Sequence, residues 1–235
     1  MKLFLCGGGS GSHVADAYKE FLRQVDNNKP LLYVPLAMDE TKYKDCKEWF
    51  TNEIKYIGLS NFEMVYSAQE FYNKNLRNYC AIFIGGGNTY DLLNKIDSNN
   101  LRKKLVEFLL NGGIVFGGSA GAIIFGQDID VCKLEDGNNC GLRNTEGFNY
   151  ANDLSILCHL NQKHLLINIE HLKKLSYKQK IIYLPEEDVV FINHEKIQTF
   201  GGKDYILVTK GRCYSKKFKN LKKEFIKKSV KFGKL

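Results

Sequence analysis

Three apolar stretches of this chain each run directly into a cluster of glycines. They are Leu3-Phe-Leu-Cys6 before Gly-Gly-Gly-Ser-Gly-Ser12, Ala81-Ile-Phe-Ile84 before Gly-Gly-Gly87-Asn-Thr89, and Ile114-Val-Phe116 before Gly-Gly-Ser119-Ala-Gly121. Each stretch suits a buried strand, and a helix-like segment follows each cluster. Repetition of strand, tight turn and helix predicts an α/β fold, with a mostly parallel sheet covered by helices on both faces. The rhythm extends between these landmarks. It places strands over residues 3–6, 31–36, 62–66, 81–84 and 114–116, and helices over 14–25, 42–57, 69–75, 90–94 and 101–110. Residues 127–153 are polar and read as short hairpins or a long surface loop. A strand over 154–158 and a helix over 164–175 follow, then strands over 181–184, 189–193, 196–200 and 205–209 joined by tight turns. A length of 235 residues suits one such domain, assigned to residues 1–210, with residues 211–235 as a basic, helical extension.

The third cluster carries chemistry. Gly117-x-Ser119-x-Gly121 between a strand and a helix fits a nucleophile elbow, where a strained turn lifts a serine hydroxyl above the sheet edge. Small neighbours keep the turn tight and let a substrate approach the backbone. The amide of Ala120 at the helix start, with that of Gly86 or Gly87 in the second cluster, can then face an oxygen that becomes negative in acyl transfer. The plainer reading is a glycine-rich turn carrying a solvated serine.

A serine nucleophile needs a base and a carboxylate to orient it. Among five histidines, His164 and His171 read as surface positions on a charged helix, His194 sits in a hairpin turn, and His13 follows the first glycine cluster. His159 directly follows a buried strand, as the serine does, and sites in open parallel sheets gather at strand carboxyl ends. It is the leading base. For the acid, Asp128, Asp130, Glu135, Asp136, Glu146 and Asp153 lie between Ser119 and His159, while Glu186 follows the strand over 181–184. Local pattern leaves the choice open, with Asp136 as the main competitor to Glu186.

Charge and cysteine usage narrow the remaining classes. The net charge of +8 resides in the last 26 residues, where eleven basic side chains face one acid, so the rest of the chain is slightly acidic. Apolar residues recur at helical spacing through Phe218-Lys-Asn-Leu221 and Phe225-Ile226, which favours a docking helix with solvated lysines over nucleic-acid binding. The seven cysteines are scattered without metal-ligand spacing, an odd count that fits reduced thiols in the cytoplasm. No apolar run reaches membrane-spanning length, and neither a metal nor an organic cofactor is called for. A second copy of the chain is an optional partner.

Taken together, Gly85-Gly-Gly-Asn-Thr89 with Tyr-Asp-Leu-Leu93, Gly118-Ser-Ala-Gly-Ala122, the strand ending at His159, and Leu184-Pro-Glu186 resemble the peptidase E (aspartyl dipeptidase) family of serine peptidases, which includes cyanophycinases. The resemblance covers about residues 80–210. It implies a class I glutamine amidotransferase-like (flavodoxin-like) three-layer sandwich, with a serine where those enzymes have a cysteine. It also implies a Ser–His–Glu triad of Ser119, His159 and Glu186, an acyl-enzyme intermediate, a small peptide substrate as partner, and substrate-binding positions at Asn88, Thr89 and Asp136. A catalytically silent binding or regulatory module of the same fold is the alternative. One departure bears on specificity. Aspartyl dipeptidases carry an arginine after the histidine that holds the substrate's aspartate, whereas residues 162–176 here contain Lys163, Lys173 and Lys174 but no arginine. Weak aspartate preference is therefore expected, unless Arg143 substitutes.

Overall fold

The computed structural model describes residues 1–194 and 196–226. Its first half alternates as the apolar pattern requires: β1 (Lys2–Cys6), α1 (Ala15–Gln24), β2 (Leu31–Val34), α2 (Tyr43–Ile57), β3 (Phe62–Met64), α3 (Ala68–Asn73), β4 (Ala81–Ile84), α4 (Thr89–Ser98), α5 (Leu101–Leu110), β5 (Ile114–Gly118) and the single turn α6 (Ala120–Ile123). The second half holds β6 (Leu154–Leu157), α7 (Gln162–Leu175), β7 (Lys180–Tyr183), β8 (Val189–Asn193), β9 (Lys196–Phe200), β10 (Tyr205–Thr209), β11 (Arg212–Lys216) and α8 (Lys222–Ile226). The central sheet has seven strands in the order β3-β2-β4-β5-β1-β8-β9. Strands β1 to β5 run parallel, and β8 and β9 add antiparallel pairings at one side.

Parallel strands covered on both faces need apolar side chains on both, and β2 and β4 are buried at every position. Successive side chains alternate faces, so strand register sorts the residues into two layers. On one face Tyr33, Phe83, Phe116, Phe4 and Phe191 are direct cross-strand partners over β2, β4, β5, β1 and β8. Their rings make a continuous row, with centroids 4.0 Å apart for Phe4–Phe191, 5.6 Å for Phe4–Phe116 and 5.0 Å for Phe83–Phe116. Helices α1 and α2 cover this row through Tyr18, Phe21, Phe50 and Ile54. The other face carries Leu3, Leu5, Ile82, Ile84 and Val115 against Leu92, Leu93 and Ile96 of α4 and Leu101 and Leu105 of α5. Each fully buried phenylalanine or leucine contributes roughly 1.5–3 kcal/mol, so these two layers dominate the stability of the scaffold.

The second half departs from the expectation of consecutive strands joined by tight turns. β7 and β10 belong with β6 and β11 to a separate four-stranded sheet in the order β11-β10-β7-β6. The chain leaves that sheet after β7, enters the central sheet as the β8–β9 hairpin, and returns as β10. Residues 184–188 therefore cross between two sheets. The polar stretch 127–153 is mostly irregular, with one short 3-10 turn (Ile129–Cys132) and a lone Asp128–Glu146 bridge. The expected boundary at residue 210 falls in the turn of the β10–β11 hairpin, so residues 212–216 are sheet rather than helical extension. Beyond them come a short 3-10 turn and α8, and the rest of the basic tail lies outside the described residues.

Candidate active site

The elbow forms because the backbone around Ser119 is held from several sides. The Ser119 amide donates to the Cys6 carbonyl at 3.1 Å, while its own carbonyl accepts from Ala122 and Ile123 at 2.8 and 2.9 Å. The residue sits at φ 52°, ψ −116°, a conformation that costs an L-residue on the order of 1–3 kcal/mol and persists only where the surroundings over-determine it. Glycine is needed at 117, where a Cβ would lie 2.2 Å from the Gly121 carbonyl oxygen. With the turn closed this tightly, the hydroxyl projects over the carboxyl end of β5.

Two residues from the second sheet meet it there. His159, two residues beyond β6, has φ 61° and is anchored by its amide to the Gly7 carbonyl at 2.9 Å. Its Nε2 lies 2.7 Å from Ser119 Oγ, and its Nδ1 lies 3.0 Å from Glu186 Oε1. A carboxylate accepts from Nδ1–H, which leaves Nε2 free to accept from the serine hydroxyl. Glu186 rides on the segment crossing between the sheets and is 56% exposed, against 30% for the imidazole. That segment is tied to the first glycine cluster: Gly9 N–H donates to the Glu186 carbonyl at 2.6 Å and Gly7 N–H to that of Asp188 at 3.0 Å. A Cβ at Gly7 would lie 1.9 Å from the Pro185 carbonyl oxygen, so the two segments lie backbone against backbone. No residue of this cluster was singled out from the sequence. Its structural contribution is to seat the histidine and glutamate.

The other candidate acids point elsewhere. Asp136 Oδ2 accepts from the Thr89 amide at 2.9 Å and its hydroxyl at 2.5 Å, at the start of α4. Asn88 caps the same helix by accepting from Asp91 N–H at 3.0 Å, and its side-chain amide donates to the Gly137 carbonyl at 2.8 Å. Thr89 thus binds Asp136 while Asn88 binds the adjoining Gly137, and together they brace the turn after β4. Asp130 accepts from Tyr90, and Glu135 from Tyr183 and Asn168. His164 and His171, read from sequence as surface positions, are half-buried; His164 lies 3.6 Å from Glu135 and His171 is 2.8 Å from the Asp130 carbonyl oxygen. His13 is exposed and outside the site.

The amides of Gly86, Gly87 and Ala120 make no hydrogen bond to a protein acceptor among the described residues. A Cβ at Gly86 would lie 3.1 Å from that of Ser119, so this turn runs alongside the serine. Thiols nearby do not compete as nucleophiles. Burial pushes Cys6 up to about 12 and Cys158 well above the ordinary thiol range, which keeps both protonated. No cluster of three or more histidine, cysteine, aspartate or glutamate side chains suited to a metal occurs among the described residues.

Beside the serine opens a cleft of about 400 Å³, within the range of small-ligand sites. Its walls include Tyr33, Met38, Trp49 and Phe83, and among the described residues Asp45 is its one carboxylate. These wall residues were not singled out from the sequence, where they read as core. No helix among the described residues is long and apolar enough to cross a membrane.

Solved structures share this fold. The structure superimposes with a TM-score of 0.70 on a crystal structure from Listeria monocytogenes EGD-e that carries the peptidase E name, at 24% identity over 85% of this chain and 98% of that one. It matches a peptidase from an acI-B1 Actinobacterium with a TM-score of 0.68, at 19% identity over 91% of this chain and 96% of that one. Likeness at these identities speaks for the fold. In sequence, an uncharacterized peptidase of Pasteurella multocida (strain Pm70) is 28% identical over 139 residues, covering 57% of this chain and 65% of that protein's own length. The model of peptidase family S51 matches residues 3–200, which take in the serine elbow, the histidine and the crossing segment alike. The chain belongs to peptidase family S51.

Proposed function

We propose that this protein is a serine peptidase that hydrolyses short peptides through Ser119, His159 and Glu186. The observation that carries the reading is the continuous hydrogen-bonded chain from Ser119 Oγ through both imidazole nitrogens to Glu186, at 2.7 and 3.0 Å. Ser119 Oγ attacks the peptide carbonyl carbon while His159 Nε2 takes the hydroxyl proton. The imidazolium is stabilised by Glu186 and passes that proton to the departing amine as the C–N bond breaks. Water then enters along the same path, giving a proton to Nε2 and its hydroxyl to the acyl carbon; the ester C–Oγ bond breaks as Nε2 returns the proton to Ser119 Oγ, releasing the acid. The amides of Gly86 or Gly87 and Ala120 receive the developing oxyanion. Asn88, Thr89 and Asp136, given substrate-binding parts by the resemblance, support this turn in our reading rather than touching the peptide. A cytosolic location accords with seven unpaired cysteines.

Labelling tests the proposal. A fluorophosphonate probe should form one adduct, located by mass spectrometry on Ser119, and His159→Ala should slow its formation by at least about hundredfold. An adduct elsewhere, or none, would favour the silent binding module.

A further inference from the structure

The cleft has a side. Ser119 follows β5, whose neighbours in the sheet are β1 and β4. His159 stands on the β1 side, with its ring over Gly8. Tyr33 and Phe83 stand on the other side, near the carboxyl ends of β2 and β4, and Trp49 reaches over them from α2. Tyr33 stacks on Phe50 at 4.0 Å, and Trp49 lies 6.1 Å from Tyr33 and 6.3 Å from Phe83. Two of these walls are fixed, since Tyr33 and Phe83 are each 3% exposed, whereas Trp49 is 41% exposed and can adjust. Tyr33 also touches the turn carrying Gly86 and Gly87, its ring 3.2 Å from where a Cβ of Gly85 would be.

A peptide placed on Ser119 is oriented by these facts. The departing nitrogen must face His159 Nε2, which delivers its proton, and the carbonyl oxygen must face the glycine amides. The residue contributing the carbonyl then extends its side chain toward β2 and β4, into the aromatic walls. Among the described residues no lysine or arginine lines this cleft, and the one carboxylate, Asp45, lies at the rim 4.0 Å from Lys42. An acidic side chain entering would lose water without gaining a cationic partner.

We infer that Tyr33, Trp49 and Phe83 form the specificity pocket for the residue on the acyl side of the cleaved bond, and that it selects aromatic and large aliphatic side chains and rejects aspartate. The inference rests on the serine peptidase reading and names its substrate class. The test is a kcat/KM series on Xaa-Ala dipeptides with Xaa of Phe, Leu, Ala and Asp, for the wild type and Trp49→Ala, alongside fluorophosphonate labelling of both proteins. Phe and Leu should exceed Ala by about tenfold and Asp by about hundredfold, and Trp49→Ala should cut the Phe-to-Ala ratio about fivefold or more. The ratio is read within one protein, so a general loss of activity does not mimic the effect. Equal or faster cleavage of Asp-Ala, or an unchanged ratio in the variant, overturns the pocket assignment while labelled Ser119 leaves the peptidase reading standing. Failure of both labelling and hydrolysis overturns the two together.

Discussion

A Cβ placed on Gly8 would lie 2.2 Å from Cε1 of His159 and 2.6 Å from its Nδ1, so the imidazole is seated against bare backbone. Gly8 also has φ 121°, where an L-residue is strained whatever the space. Gly8→Ala should therefore displace the ring from both Ser119 and Glu186. Misplacement of a reacting group by about 1 Å costs on the order of a hundredfold in rate. We expect kcat/KM to fall by at least about that factor, measured on the folded, purified variant. A Gly8→Ala protein of wild-type activity would show that the ring does not work from this position.

Glu186 and Asp136 should separate cleanly in kinetics. Glu186→Gln keeps the size of the side chain but removes the charge that stabilises the imidazolium, so kcat should fall by about hundredfold or more. Asp136→Asn removes an anion that sits against the start of α4 and weakens the bonds to Thr89, an effect of about 1 kcal/mol on stability. Its Tm should drop while kcat stays within about threefold. A larger kcat loss at Asp136 than at Glu186 would exchange their roles.

Asp188 predicts a pH dependence of stability. Its side chain is fully buried, Oδ1 accepts from Gly202 N–H at 3.1 Å, and Oδ2 has no hydrogen-bond partner among the described residues. Burial, with the neighbouring Glu187 charge adding to it, pushes its pKa from 3.8 up to about 7, against the smaller opposing pull of the Lys203 and Gly202 amides. The folded state thus holds the proton more tightly than the unfolded chain. Its stabilising contribution is complete below about pH 4 and is lost as pH rises through about 7. Thermal unfolding of wild type and Asp188→Asn across pH 4 to 8 should show wild type losing Tm relative to the variant over that window. A constant difference would mean that Asp188 does not titrate there.

Much of this was legible because it is local. The strand-to-helix turn at Ser119 and the placement of His159 after a buried strand follow from runs of a few residues. The acid was not settled by local pattern, because the approach of Glu186 to His159 depends on the crossing of residues 184–188 between two sheets, and only the family resemblance chose it over Asp136. Tyr33 and Phe83 were invisible as site residues for a related reason. An aromatic side chain at a strand end has the same sequence signature whether it faces the core or lines a cleft. Gly8 gave no local signal of its part, because what constrains it is a histidine 151 positions later in the chain.

The central claim is that the Ser119 hydroxyl is the nucleophile. Replacing it with hydrogen in Ser119→Ala leaves the backbone of the turn and its hydrogen bonds untouched, so the purified variant should unfold at the wild-type temperature. The decisive measurement is kcat/KM of that variant on the best dipeptide found for the wild type. Loss of at least about thousandfold with Tm unchanged is the expected result. Activity within about tenfold of wild type would contradict the account.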